Sequence, residues 1–279
     1  MHIQDIHFAT GMLITLVGVV GLYLWRTFRL GRARNLRSDA DGGSVFLHKS
    51  AMEMAYWMLG PLMSALAELG VTPNMVTLFS LVPTALAAVA AGFGWFGLAC
   101  VLGTGGALCD LVDGLLARRL GVASDAGEVL DAAVDRYGEL LLFMGFGIYY
   151  RTHWAMLVLV FAALGGSFMV SYTTAKAEAM GVPPPRGSMR RAERAVYLLT
   201  GAGLTSWSRF FFEGMPSHAL RELPIIVAFA LVAVVTNVST VQRFAAIARA
   251  LRARGAVPPP TATTNDGIVA QPAPPGSTL

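Results

Sequence analysis

The sequence predicts an all-α integral membrane protein, and three observations carry that prediction. Hydrophobic residues make up 55% of the 279-residue chain against 14% charged, with a mean hydropathy of +0.58, a balance outside that of soluble globular domains. The apolar residues gather into seven runs, roughly 8–25, 75–93, 96–117, 127–150, 154–176, 193–211 and 223–245, each near the ~20 residues a helix needs to cross a hydrocarbon core. The basic residues collect between alternate runs, as they do in a protein threaded back and forth through a bilayer.

In chain order, the first run is too long and too uniformly apolar for a signal peptide, and no small-residue cleavage pattern follows it, so it reads as a retained anchor. Residues 26–49 form a basic, Gly-containing connector, and residues 1–49 together make an N-terminal anchor region. Residues 50–69 mix Met, Leu, Tyr and Trp with Glu53 and Glu68, the pattern of a helix lying along the membrane surface. Thr72 is a good N-cap and Pro73 suits the first helical position, so a new helix starts there. Pro183-Pro184-Pro185 closes the fifth run and opens a loop. The last helix is expected to run to Leu251 and protrude from the membrane. The central region is thus 50–251, and the Pro-rich tail 252–279 reads as disordered.

The net charge of +4 invites a nucleic-acid reading, but its distribution argues against one. Arg26, Arg29, Arg32, Arg34, Arg37, Lys49, Arg118, Arg119, Arg136, Lys176, Arg186, Arg190, Arg191, Arg194, Arg243, Arg249, Arg252 and Arg254 fall on one side; Arg151, Arg209 and Arg221 fall on the other. The rich side is therefore cytoplasmic, with the N-terminus outside and the C-terminus inside. That topology alone accounts for Lys176, Arg190 and Arg191. Cys100 and Cys109 sit nine residues apart in one run and are expected to pack as small hydrophobes rather than to pair.

Four aspartates interrupt this apolar sequence: Asp110 and Asp113 in the third run, Asp131 and Asp135 in the fourth. Counting back from the turn between these runs at about 1.5 Å per residue, Asp110 and Asp135 both lie about 12 Å deep, and Asp113 and Asp131 about 6–7 Å. The pairs at i,i+3 and i,i+4 each share a helix face. Unpaired carboxylates at such depth are costly, and four together cannot all stay ionised without cations. Two hard divalent ions would satisfy them, Mg²⁺ where phosphate is a co-ligand, with Mn²⁺ as a substitute. Gly114, Ala117 and Gly127 leave space beside them. An ion-coupled transporter would spread its acids over several helices and the full bilayer depth; these cluster on one hairpin near one end.

The pattern Asp110-x2-Asp113-Gly114-x2-Ala117-Arg118-x8-Gly127-x3-Asp131-x3-Asp135 resembles the signature of the CDP-alcohol phosphatidyltransferases, and the resemblance extends over residues 50–245. It implies a six-helix core in a homodimer, preceded here by one extra transmembrane helix, in a bacterial inner membrane. It also implies a lipid-linked CDP donor, CDP-diacylglycerol, with Asp110, Asp113, Asp131 and Asp135 as metal ligands and Asp135 also as general base. Gly114, Ala117, Arg118 and Gly127 would line the CDP site. The stretches around Ser171-Tyr172-Thr173-Thr174, Arg191-Ala192-Glu193-Arg194 and Val241-Gln242-Arg243 resemble the branch that makes phosphatidylinositol phosphate. That likeness implies inositol phosphate as acceptor, held by Arg194 and Arg243 with Lys176 and Thr174 nearby. Two positions depart from the branch: Thr174 stands where a lysine is usual, and Asn74 where an acid is common. Glycerol 3-phosphate or an unphosphorylated polar alcohol therefore remain alternative acceptors.

Overall fold

The computed structural model describes residues 3–31, 49–183, 189–214 and 217–256. Most of the basic connector, the loop at Pro184 and Pro185, and the Pro-rich tail beyond 256 lie outside the described residues. Among the described residues eight helices follow in order: α1 (Ile3–Leu30), α2 (Lys49–Glu68), α3 (Pro73–Gly92), α4 (Phe96–Leu120), α5 (Asp125–Tyr149), α6 (Trp154–Ala179), α7 (Arg191–Phe211) and α8 (His218–Ala256). Each of the seven expected runs forms a helix, and α2 stands where the surface helix was expected.

Five of these helices, α1, α3, α4, α6 and α8, are long and apolar enough to cross a membrane by length and composition among the described residues. Two of the seven expected runs, α5 and α7, fall outside that group for a physical reason. Helix α5 carries Asp125, Glu128, Asp131, Asp135, Arg136 and Glu139, and α7 carries Arg191, Glu193, Arg194 and Arg209. Asp135 and Glu139 of α5 pair with Arg191 and Arg194 of α7, as described below, so part of each helix's polar surface looks into the bundle.

The local signals behave as their chemistry requires. The Thr72 hydroxyl accepts from the Met75 N–H, and Pro73 opens α3. Helix α4 ends at Gly121, whose φ of 69° is a left-handed cap that glycine adopts without a Cβ penalty. Three residues later the Ser124 hydroxyl caps α5 by accepting from Gly127 N–H at 3.2 Å. The α4–α5 connection is therefore a tight hairpin, but the two helices are not closely packed on each other. Helix α3 packs against both, α6 pairs with α8, and α7 bridges α4 and α8. At the α3–α5 contact, a Cβ on Gly145 would fall 2.2 Å from the Ala88 carbonyl oxygen, so only glycine permits this approach.

The main core is aromatic. Phe96 and Phe146 pack edge to face at 5.1 Å, and Phe229 meets Phe146 at 5.2 Å and Phe143 at 5.7 Å, a favourable geometry for ring quadrupoles. A second cluster joins Leu59 and Met63 of α2 to Val112, Leu115 and Leu116 of α4. Arg119 fastens the same contact by donating to the Ser64 hydroxyl at 2.9 Å. Cys100 and Cys109 are both free.

Helix α1 is built into the bundle. Asp5 is buried, and its carboxylate accepts from the Gly97 N–H at 2.9 Å, the Leu98 N–H at 3.0 Å and the Ser206 hydroxyl at 2.6 Å. The N-cap position of α4, Trp95, makes no side-chain cap. Asp5 supplies one from another helix, satisfying amides that a helix start leaves open and tying α1 to α4 and α7 together.

Candidate active site at the carboxylate end of the bundle

The site lies where the last turns of α4 face the first turns of α5. Asp110, Asp113 and Asp131 each offer an oxygen, and these oxygens lie within 4.8 Å of one another. Helix α3 sets the position of Asp113, which is buried and accepts from the Thr77 hydroxyl at 2.6 Å. Asp131 Oδ1 is buried with no hydrogen-bond partner. A buried carboxylate oxygen without a donor, beside two further carboxylates, is the environment that a hard cation satisfies. The donor set is all oxygen, which suits Mg²⁺ or Mn²⁺ over softer metals.

Asp135 stands outside that group of three. It forms an ion pair with Arg191, whose Nη1 also donates to Asp110 Oδ1 at 2.7 Å. Arg191 is thus part of the site, although the charge distribution in the sequence accounted for it without one. The signal that could have found it is its i,i+3 spacing from Arg194 on the first turn of α7. Thr77 and Glu139 were likewise invisible as site residues, since nothing local marks a threonine or a glutamate as the partner of a distant side chain.

Beside the carboxylates a cleft of about 420 Å³ opens between α3, α4 and α5. All four residues expected to contact the donor, Gly114, Ala117, Arg118 and Gly127, line it together with Asp113 and Asp131. Asn74 and Ser124 close its other wall. The Arg118 guanidinium lies over Gly114, 3.5 Å from where a Cβ would stand. The cleft is therefore lined by acids, a cation and small residues together.

The acceptor candidates divide. Arg243 is buried and donates to the Thr174 hydroxyl at 2.6 Å and to Ser239 at 3.3 Å, so α6 and α8 bring these two residues together. Lys176 is exposed. Arg194 is 1% exposed and held by Glu139 in a two-point ion pair, Nε to Oε1 at 2.7 Å and Nη2 to Oε2 at 3.1 Å. Its Nη1 donates to the Met189 carbonyl at 3.2 Å. Met189 reaches that position with a φ of 68°, a left-handed conformation that costs a non-glycine residue about 1–3 kcal/mol.

Fold and site define an all-helical, membrane-embedded enzyme with a carboxylate cation site at one end of its bundle. The model of the CDP-alcohol phosphatidyltransferase family matches residues 70–215, more than half of the chain, and the protein belongs to that family. A phosphatidylinositol phosphate synthase of Streptomyces avermitilis is 33% identical over 222 residues, covering 76% of this chain and 88% of the relative. The phosphatidylinositol phosphate synthase of Mycobacterium tuberculosis with CDP-DAG bound superimposes with a TM-score of 0.58 at 28% identity, over 67% of this chain and 92% of that one. The same enzyme in complex with manganese and citrate superimposes with a TM-score of 0.59.

Proposed function

We propose that the protein transfers the phosphatidyl group of CDP-diacylglycerol to the hydroxyl of inositol phosphate, releasing CMP. The observation that carries this reading is the juxtaposition of the Asp110, Asp113 and Asp131 group with the cleft floored by Gly114, Ala117 and Gly127. The relatives' activity as phosphatidylinositol phosphate synthases and the CDP-DAG bound to the solved structure support it.

Asp110, Asp113, Asp131 and Asp135 would hold two Mg²⁺ ions, which when bound neutralise the diphosphate and stabilise the leaving CMP. Gly114 and Ala117 let the donor's backbone-hugging phosphates approach, and Arg118 supplies a guanidinium to the same cleft. Asp135 accepts the proton of the acceptor hydroxyl as that oxygen attacks the β-phosphorus and the bond to the CMP oxygen breaks. Arg243, which donates to Thr174 and Ser239, would bind the acceptor's phosphate. Arg194 would contribute to that pocket only from within its Glu139 pair, and Lys176 from its exposed rim.

The basic residues gathered at the carboxylate end support a cytoplasmic orientation of the site in a bacterial inner membrane, so the soluble acceptor comes from water while the donor's tails stay in lipid. The family likeness supports a homodimer; a monomer mass in both detergent and nanodiscs would remove that part of the reading.

The test is CMP release from CDP-diacylglycerol and Mg²⁺ by purified protein, with inositol phosphate, glycerol 3-phosphate and unphosphorylated inositol as separate acceptors. Turnover is expected with inositol phosphate. No CMP with any of the three would defeat the enzymatic reading, and turnover only with another acceptor would reassign the substrate. Asp135→Asn should lower kcat by at least about a hundredfold; full activity in that variant would remove Asp135 as the base.

A further inference from the structure

We propose that Arg191 is a built-in counter-cation for the acidic site, which a divalent metal displaces, so that loading the metal and freeing this guanidinium are one event. The inference rests on the reading that the carboxylates hold a divalent cation. Asp110 is claimed twice: it belongs to the group of three acids within 4.8 Å of one another, and it accepts from Arg191 Nη1 at 2.7 Å. The same Nη1 is paired with Asp135. A divalent ion using Asp110 would come to rest beside the guanidinium, and two cations at such range repel strongly.

Which cation yields follows from charge and burial. One guanidinium cannot balance four carboxylates, and the Asp131 oxygen without a donor marks the shortfall. A divalent ion closes more of it. The Arg191 side chain is 32% exposed, so it can swing towards water without unpacking the bundle. Arg194, one turn along, could not: its side chain is 2% exposed and locked to Glu139. The two arginines of α7 thus differ in kind, one a fixed strut and the other a movable arm. Once free, the Arg191 fork has its donors available to an anionic acceptor. By reciprocity, whatever draws Arg191 away from Asp110 tightens the metal.

The experiment is Mn²⁺ binding to the purified full chain, followed by electron paramagnetic resonance, with thermal unfolding measured with and without Mn²⁺. Arg191→Gln is expected to bind Mn²⁺ about five- to tenfold more tightly than the parent, since the ion no longer displaces a hydrogen-bonded cation. Without metal its Tm should fall, and Mn²⁺ should raise that Tm by more than it does in the parent. Arg119→Gln is the control: it removes one positive charge from the same end of α4 while touching Ser64 rather than an acid. A general electrostatic effect would tighten Mn²⁺ equally in both variants and overturn the proposal. Equal or weaker Mn²⁺ affinity in Arg191→Gln, with Mn²⁺ still bound, would overturn the counter-cation and leave the metal site standing. No Mn²⁺ bound by any of the proteins would overturn both.

Discussion

The Thr77 hydroxyl donates a hydrogen bond to Asp113 from a helix that carries none of the acids, so the carboxylate site depends on α3 as well as on the hairpin. A hydroxyl that orients a ligand typically changes metal affinity ten- to a hundredfold when lost. Thr77→Val should therefore weaken Mn²⁺ binding about tenfold while the Tm moves little; unchanged affinity would show that Asp113 needs no such orientation. Gly114 makes a different case. The three atoms nearest a Cβ there all belong to the Arg118 side chain, at 3.5 Å or beyond, so the position leaves room at the cleft. Gly114→Leu should fold normally and raise the KM for CDP-diacylglycerol roughly tenfold or more; a Tm loss with unchanged KM would assign Gly114 to packing. At this scale the acids and small residues were legible because carboxylates in apolar sequence are conspicuous and their i,i+3 and i,i+4 spacings are local. Arg191, Thr77 and Glu139 were not, because their partners lie 81, 36 and 55 residues away.

Between elements, the informative contacts are those a helix makes through a single residue. Helix α1 reads in the sequence as an appended anchor, and its apolar surface agrees: Ile14, Val17, Leu24 and Phe28 are widely exposed, as befits side chains facing lipid. Its Asp5 tells otherwise. Three hydrogen bonds to a buried carboxylate make α1 the cap of the helix that carries Asp110 and Asp113. Asp5→Ala should cost about 2 kcal/mol or more of stability, read as a lowered thermal midpoint in detergent, with Asp5→Asn losing less because one carbonyl oxygen can still accept. No loss in Asp5→Ala would return α1 to the role of a loose anchor. Helix starts at Thr72, Pro73 and Ser124 were legible because a cap is written within four residues; the start of α4 was not, because its cap is written 92 residues earlier.

Across the whole molecule, charge is segregated to two ends with different tasks. Opposite the acid site, Arg209 is held by Glu222 at 2.8 Å, donates to the Gly94 carbonyl at 2.7 Å and lies 4.0 Å over the Phe96 ring. Tyr150 donates to the same Glu222 at 2.7 Å. This network is fully occupied with structure. Glu222→Gln, which leaves Arg209 without its counter-charge, should destabilise the protein by about 3 kcal/mol. CMP release per folded molecule should stay unchanged, because the acids sit at the other end of α4 and α5; a selective loss of kcat would couple the two ends. The bundle's membrane character was legible in composition alone. That α5 and α7 face inward with their charges was not, since hydropathy records how polar a helix is and leaves open which neighbour receives its polar face.

The clasp at Asp5 also constrains the order of events during biosynthesis. Asp5 precedes its partners Gly97, Leu98 and Ser206 by 92, 93 and 201 residues. Helix α1 is made before either partner helix, yet it can be fastened completely only after α7 has emerged and docked. Its two bonds to the first amides of α4 need only that helix, whereas the bond from Ser206 waits for α7. A contact that waits for the seventh helix is thus made by one of the first residues in the fold.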